Sequence, residues 1–231
     1  MIKLEHTVLP SREQMKFIIE GMRNPMNSWE KSDSVGCEYG LDCDMCEYRV
    51  YDCNKFYLGE NDYSLMKRLA KAGKDHRKYM RMMPVYVRIT APLYWWKEFD
   101  TYKIGTVSNS CSTMHKIQDK EFTLDDFSRE NLVNTNLLEN IVNELNVHRD
   151  IYNSYDNQSD SFKAKFSKKD IWWQMIQLLP SSYNQTRNVM LNYEVLANIY
   201  HSRKTHKLDE WIEFCRWIIN LPYAVLIMLE G

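Results

Sequence analysis

The chain has 231 residues, 44% hydrophobic and 26% charged, an ordinary globular balance that excludes a disordered or low-complexity protein. Its formal net charge of −1 offers no global attraction to nucleic acid or to an acidic membrane, and no apolar run approaches the roughly 20 residues that span a bilayer. The start, MIKLEHTVLPSREQ, lacks the basic-then-apolar layout of a secretory leader, so the expectation is a cytoplasmic protein with reduced thiols.

In chain order, Ser11 can cap a first helix to about Gly21, with Phe17, Ile18 and Ile19 on its buried side. The stretch 23–62 carries Pro25, Gly36, Gly40 and Gly59 and reads as an irregular insertion. Within it, Cys37, Cys43, Cys46 and Cys53 could supply four thiolates to zinc. The outer spacings match no common finger, and Asp42, Asp44 and Glu47 oppose a reactive thiolate. Unbound structural thiols are therefore preferred over a metal site.

Asp62 starts a helix ended by Gly73. The basic group Lys71, Lys74, Arg77, Lys78 and Arg81 reads as a solvated helix face. Val85, Val87 and Ile89 alternate with polar neighbours as a strand does. Pro92 suits the first turn of a helix through Ile104, in which Trp95, Trp96 and Phe99 read chiefly as core, and 105–115 reads as a polar loop. Thr123 with Asp126 forms a capping-box-like start before the amphipathic segment LLENIVNELNVHRDIY. After a polar linker, Ser167 caps a helix that Pro180 terminates, and further helices are expected over 184–203 and 208–229. The fold class that follows is α/β (α+β): one helix-rich domain over 1–231 with a small, mostly antiparallel sheet.

On a helix over 184–203, Asn192 and Arg203 fall nearly in line on one face amid Val189, Leu191, Val195, Leu196 and Ile199. A buried guanidinium needs a partner. Asp209 or Glu210 of the next helix can supply one, and so can a ligand phosphate; the residues leave both open.

The run LLPSSYNQTRNVMLNYEVLANIYHSR resembles the C-terminal signature of the flavin-dependent thymidylate synthases: Leu-Pro, then Asn-x-Arg-Ser-Leu, then Asn or His, then Arg. Leu179-Pro180, Asn192, Leu196, Asn198 and Arg203 stand at the family spacing without a gap. Upstream, Ala91-Pro92 is similar to the end of the family's central strand, and His76 after Gly73 to its Gly-His turn. The family's Arg-rich signature loop falls on Thr101-Tyr102-Lys103 and continues through Asn109, Cys111, Ser112 and Thr113.

The resemblance implies FAD as cofactor, held by His76, Lys78, Tyr102, Lys103, Asn109, Asn192 and Asn198. It also implies a pyrimidine nucleotide at Arg203, Ser112 and Cys111, a homotetramer, and the conversion of dUMP to dTMP with methylenetetrahydrofolate and NADPH as co-substrates. The sequence departs from the pattern where Thr101, Ile176 and Glu194 replace family arginines. Those departures raise the alternative of a catalytically lapsed relative that binds nucleotide or another protein.

Overall fold

The computed structural model describes residues 2–36 and 56–229; the cysteines at 37, 43, 46 and 53 lie outside them. In chain order the elements are β1 (Lys3–Val8), α1 (Arg12–Arg23), β2 (Val35–Gly36), β3 (Phe56–Tyr57), α2 (Glu60–Lys71), β4 (Pro84–Pro92), α3 (Leu93–Phe99), β5 (Val107–Ser110) and α4 (Asn136–Asn153). They continue with α5 (Asp160–Lys163), α6 (Lys168–Leu178), β6 (Asn184–Asn192), α7 (Tyr193–Arg203), α8 (Asp209–Ile219) and α9 (Val225–Met228). The chain is helix-rich with a small antiparallel sheet of strand order β1-β4-β6-β5, and β2 pairs with β3.

Several elements form for the reasons their residues suggest. Ser11 caps α1 with a full capping box through Gln14, and Ser167 does the same for α6 through Asp170. Val85, Val87 and Ile89 are buried on β4 while Tyr86 and Arg88 are exposed, the period of a strand with one covered face. Gly73, at φ +98, ends the α2 segment in a conformation that side-chain-bearing residues rarely take.

Five expectations are corrected. Phe17 is 64% exposed, because the buried stripe of α1 is Met15, Ile18, Ile19 and Met22. The helix after Pro92 stops at Phe99, and the polar stretch behind it forms β5 rather than a loop alone. The basic group around residue 77 is not a helix face: it is a turn followed by a 3-10 segment at Lys78–Met82, with Arg77 buried. Pro222 and Tyr223, the latter at φ +58, separate α8 from α9.

The fifth correction matters most for function. Residues Asn184–Asn192 are a strand, and the helix begins at Tyr193. On β6, Gln185, Val189 and Leu191 are buried while Asn188 is exposed. A short apolar run read without its neighbours fits either period. Asn192 and Arg203 therefore do not share a helix face; they bracket α7, one before its first turn and one in its last.

By contact pattern the chain divides into two compact units. The first contains residues 2–3, 89–101 and 109–188. Its core joins α4 and α6 through Leu138, Val142, Leu145 and Met175, closed by Ile117, Phe122 and Phe127, with Ile176 packed at the edge. Trp95, Trp96 and Phe99 form a buried aromatic trio, with Trp95 and Phe99 stacked at 5.1 Å.

The second unit contains residues 4–88, 102–108 and 189–229. In it α7 packs against α8, α9 and the 78–82 segment, burying Leu196, Ile199, Trp211 and Phe214. A buried ion pair ties α1 to α2: Arg23 Nε donates to Asp62 Oδ1 at 2.6 Å. Asp62 Oδ2 accepts from Ser32 Oγ, Ser34 Oγ and the Ser34 backbone N–H at 2.8, 2.6 and 3.1 Å. Arg23 in turn donates to the Ser28 and Lys31 carbonyls, so both charges are satisfied where burial would otherwise make them costly.

Candidate functional site

In the second unit, the passage from β6 into α7 carries Asn192, Asn198 and Arg203. Asn192 is extended, at φ −141, and its Oδ1 accepts from the Val195 backbone N–H at 3.0 Å, capping α7. Its Nδ2 donates to the Gly105 carbonyl at 3.4 Å. Gly105 has φ +80, and a Cβ there would lie 2.9 Å from Asn192 Nδ2. The turn at 105 thus needs glycine both for its backbone angle and for the close approach of Asn192.

One helix length further on, the guanidinium of Arg203 meets two aromatic rings. Its Nε donates to Tyr102 Oη at 2.9 Å, and its centre lies 4.8 Å from the Trp211 ring and 5.7 Å from that of Tyr102. The two rings stand edge to face at 6.0 Å. Such stacking fixes the orientation of the planar cation. Burial pushes the nearby Cys215 thiol up to about 11, against the pull of Arg203, so it is an inert structural thiol at neutral pH.

Fold and sequence separate most sharply at Glu194. This carboxylate, in the first turn of α7, is buried and forms ion pairs with Arg81 and with Arg77, the latter at 3.5 Å. Its bond raises the Arg81 pKa above the ordinary value. The charge reversal at 194 is thus answered by two cations that the sequence reading placed on a solvent face. Their four-residue spacing, with Glu194 more than a hundred residues away, carries no local signal of the pairing.

Of the other positions, His76, Lys78, Lys103 and Asn198 are all exposed in this unit, which leaves polar and basic groups accessible beside the buried framework of Asn192, Glu194 and Arg77. Trp211 is a flat support for Arg203 that no local spacing marks as a site residue.

Asn109, Cys111 and Ser112 belong to the first unit. Asn109 is exposed on β5. Cys111 is an exposed free thiol, held by its backbone N–H on the Thr186 carbonyl at 2.9 Å. Ser112 Oγ accepts from the His115 N–H at 3.0 Å. In the same unit Arg187 stacks 4.1 Å from the Trp96 ring and donates to Asp100 and Gln185 at 2.7 and 2.8 Å, a cation that the sequence reading passed over. Among the described residues no three His, Cys, Asp or Glu side chains gather as a metal site, and no helix is long and apolar enough to cross a membrane.

No family model matches the chain, and no curated protein matches it. Solved structures do. A thymidylate synthase X (ThyX) from Helicobacter pylori, crystallised with FAD and dUMP, is similar over 100% of this chain and 97% of its own, at TM-score 0.64 and 14% identity. A second structure, a flavin-dependent thymidylate synthase ThyX from Helicobacter pylori complexed with FAD and dUMP, gives TM-score 0.61 and 14% identity over 98% of this chain and 97% of that one. Likeness of that extent at so low an identity establishes architecture: the chain has a ThyX-like fold.

Proposed function

We propose that this chain binds FAD and a pyrimidine deoxynucleotide and transfers a one-carbon unit to that nucleotide, dUMP to dTMP or a closely related reaction. The observation that carries the reading is the end-to-end likeness to two structures solved with FAD and dUMP. The residues present suit such ligands chemically. Lys78, Lys103 and Arg203 supply cations for phosphate groups, while His76 and Asn198 supply donors and acceptors for a ring edge. FAD, when bound, brings the hydride chemistry that none of these side chains can perform, with methylenetetrahydrofolate as carbon donor and NADPH as reductant. The chain's own part is to orient. Tyr102 and Trp211 hold the Arg203 fork in one plane, and Asn192 ties the 105 turn to the start of α7. Four copies assembled around shared sites complete the reading.

A second reading, a relative that binds nucleotide or protein without the transfer reaction, is favoured by one observation: Glu194 engages both Arg77 and Arg81 within the fold. One set of measurements separates the two. Under the first, added FAD raises the Tm and shows bound-flavin absorbance, and incubation with dUMP, methylenetetrahydrofolate and NADPH yields dTMP. A Tm response to nucleotide without dTMP selects the second. No response to saturating FAD rejects the flavoprotein altogether, since a ligand that binds only the native state must stabilise it.

A further inference from the structure

A carboxylate is rarely buried, and Glu194 is only 6% exposed. What surrounds it is the surround of a bound oxyanion. Arg81 donates to both of its oxygens, from Nε to Oε2 and from Nη2 to Oε1 at 3.3 Å, the planar fork that arginine offers to carboxylates and phosphates alike. Arg77 closes the inner side, with a side chain 9% exposed and Nε 3.5 Å from Oε1. That Nε makes no hydrogen bond, so a deeply buried donor lies near the carboxylate without being satisfied by it. The positive end of an 11-residue helix completes the enclosure. Its first and third N–H groups are already engaged, by the Met83 carbonyl and by Asn192 Oδ1, so Glu194 meets the helix dipole rather than a set of empty amides. The outer side, by contrast, is accessible: Arg81 is 52% exposed, with the negative charge of Asp75 nearby.

Glu194 leaves one enclosed donor over, the Arg77 Nε. A carboxylate has two oxygens in a plane, and Arg81 engages both. A tetrahedral oxyanion is larger and carries at least one oxygen more, enough to satisfy the Arg77 Nε that Glu194 leaves unbonded. We propose that Arg77, Arg81 and the first turn of α7 form an oxyanion site for phosphate or a phosphate monoester, and that Glu194 fills it as a tethered substitute and keeps external phosphate out. Glu194 is then a specificity-determining residue: a phosphorylated ligand of this protein must seat its phosphate elsewhere, and repulsion at 194 rejects one that presents it here. Nothing in this geometry depends on whether FAD binds.

The test is chemical rescue with inorganic phosphate. The Tm of wild type and of Glu194→Ala is measured in phosphate and in chloride at equal ionic strength. Glu194→Ala should melt lower than wild type in chloride and regain about 3–5 °C at roughly tenfold the phosphate dissociation constant, while wild type moves by less than about 1 °C. Adding Arg81→Ala to Glu194→Ala should abolish the response. Should Glu194→Ala not fold in chloride, Glu194→Ser purified in phosphate takes its place. An ordinary structural ion pair predicts something else: the variant melts lower and responds alike to phosphate and chloride. That result overturns the proposal, as does wild type gaining as much from phosphate as the variant. Failure of both variants to fold even in phosphate overturns it too, because a refilled site restores the lost counter-charge.

Discussion

Arg203, half-buried, and Asp62, fully buried, show how differently two charges can be used. Arg203 is held against Tyr102 and Trp211, contacts that fix the plane of its guanidinium. If it meets a nucleotide phosphate, Arg203→Ala should weaken pyrimidine-nucleotide binding by about 2–4 kcal/mol, and Arg203→Lys should restore only part, because the two-pronged geometry is lost. A lowered Tm with unchanged nucleotide affinity in the same variant would instead mark Arg203 as structural. Asp62 has no such ambiguity. Burial works against its charge, but hydrogen bonds from Ser34, Ser32 and Arg23, with the Arg23 charge, outweigh it and hold the carboxyl below its usual range. A group whose pKa is lower folded than unfolded stabilises the protein fully above about pH 5 and loses that contribution as pH falls through the carboxylate range. Asp62→Asn should therefore cost about 3–5 kcal/mol near neutrality by stranding Arg23. The gap from wild type, followed by denaturant titration, should narrow below about pH 4. An equal gap at both ends would sink this account.

At the scale of elements, the strand-to-helix passage at Asn192 organises the candidate site. The same side chain stops β6, caps α7 and reaches the 105 turn. Asn192→Ala should lose about 1 kcal/mol or somewhat more, the ordinary loss of a cap, while Asn192→Asp keeps the cap acceptor but loses the donor to Gly105. Of the two partners Gly105 is the more sensitive. Gly105→Ala combines a strained positive φ with a Cβ against Asn192 and should lower stability by about 1–3 kcal/mol. Thermal melts of the three variants rank these contributions; a neutral Gly105→Ala would show that the turn relaxes without cost.

For the whole molecule, the proposal carries an assembly with it. A ThyX-like chain acting through shared sites should run as four copies, and light scattering reports this directly. A clean single species near 27.8 kDa would argue against an active site built from several subunits. Saturating FAD should raise the Tm by about 5–10 °C if it reaches roughly a hundredfold excess over its dissociation constant, with the shift reduced in Asn198→Ala.

The sequence by itself determined the elements whose signals are local: the helix caps at Ser11 and Ser167, the alternation of Val85, Val87 and Ile89, and the stop at Gly73. It also carried enough of a spaced pattern, at Leu179-Pro180, Asn192, Leu196, Asn198 and Arg203, to point to the architecture that the solved structures share. The caps, the alternation and the stop depend on residues a few positions apart, where propensity and periodicity act. Tertiary structure decided the rest. Whether 184–192 is strand or helix turned on its pairing within the sheet, since a short apolar run satisfies both periods. That Tyr102 would face Arg203, and that Arg77 and Arg81 would close on Glu194, depended on segments about a hundred residues apart. The free energy of burying a charge is settled by whatever neighbour the fold supplies, and no spacing along the chain encodes that neighbour.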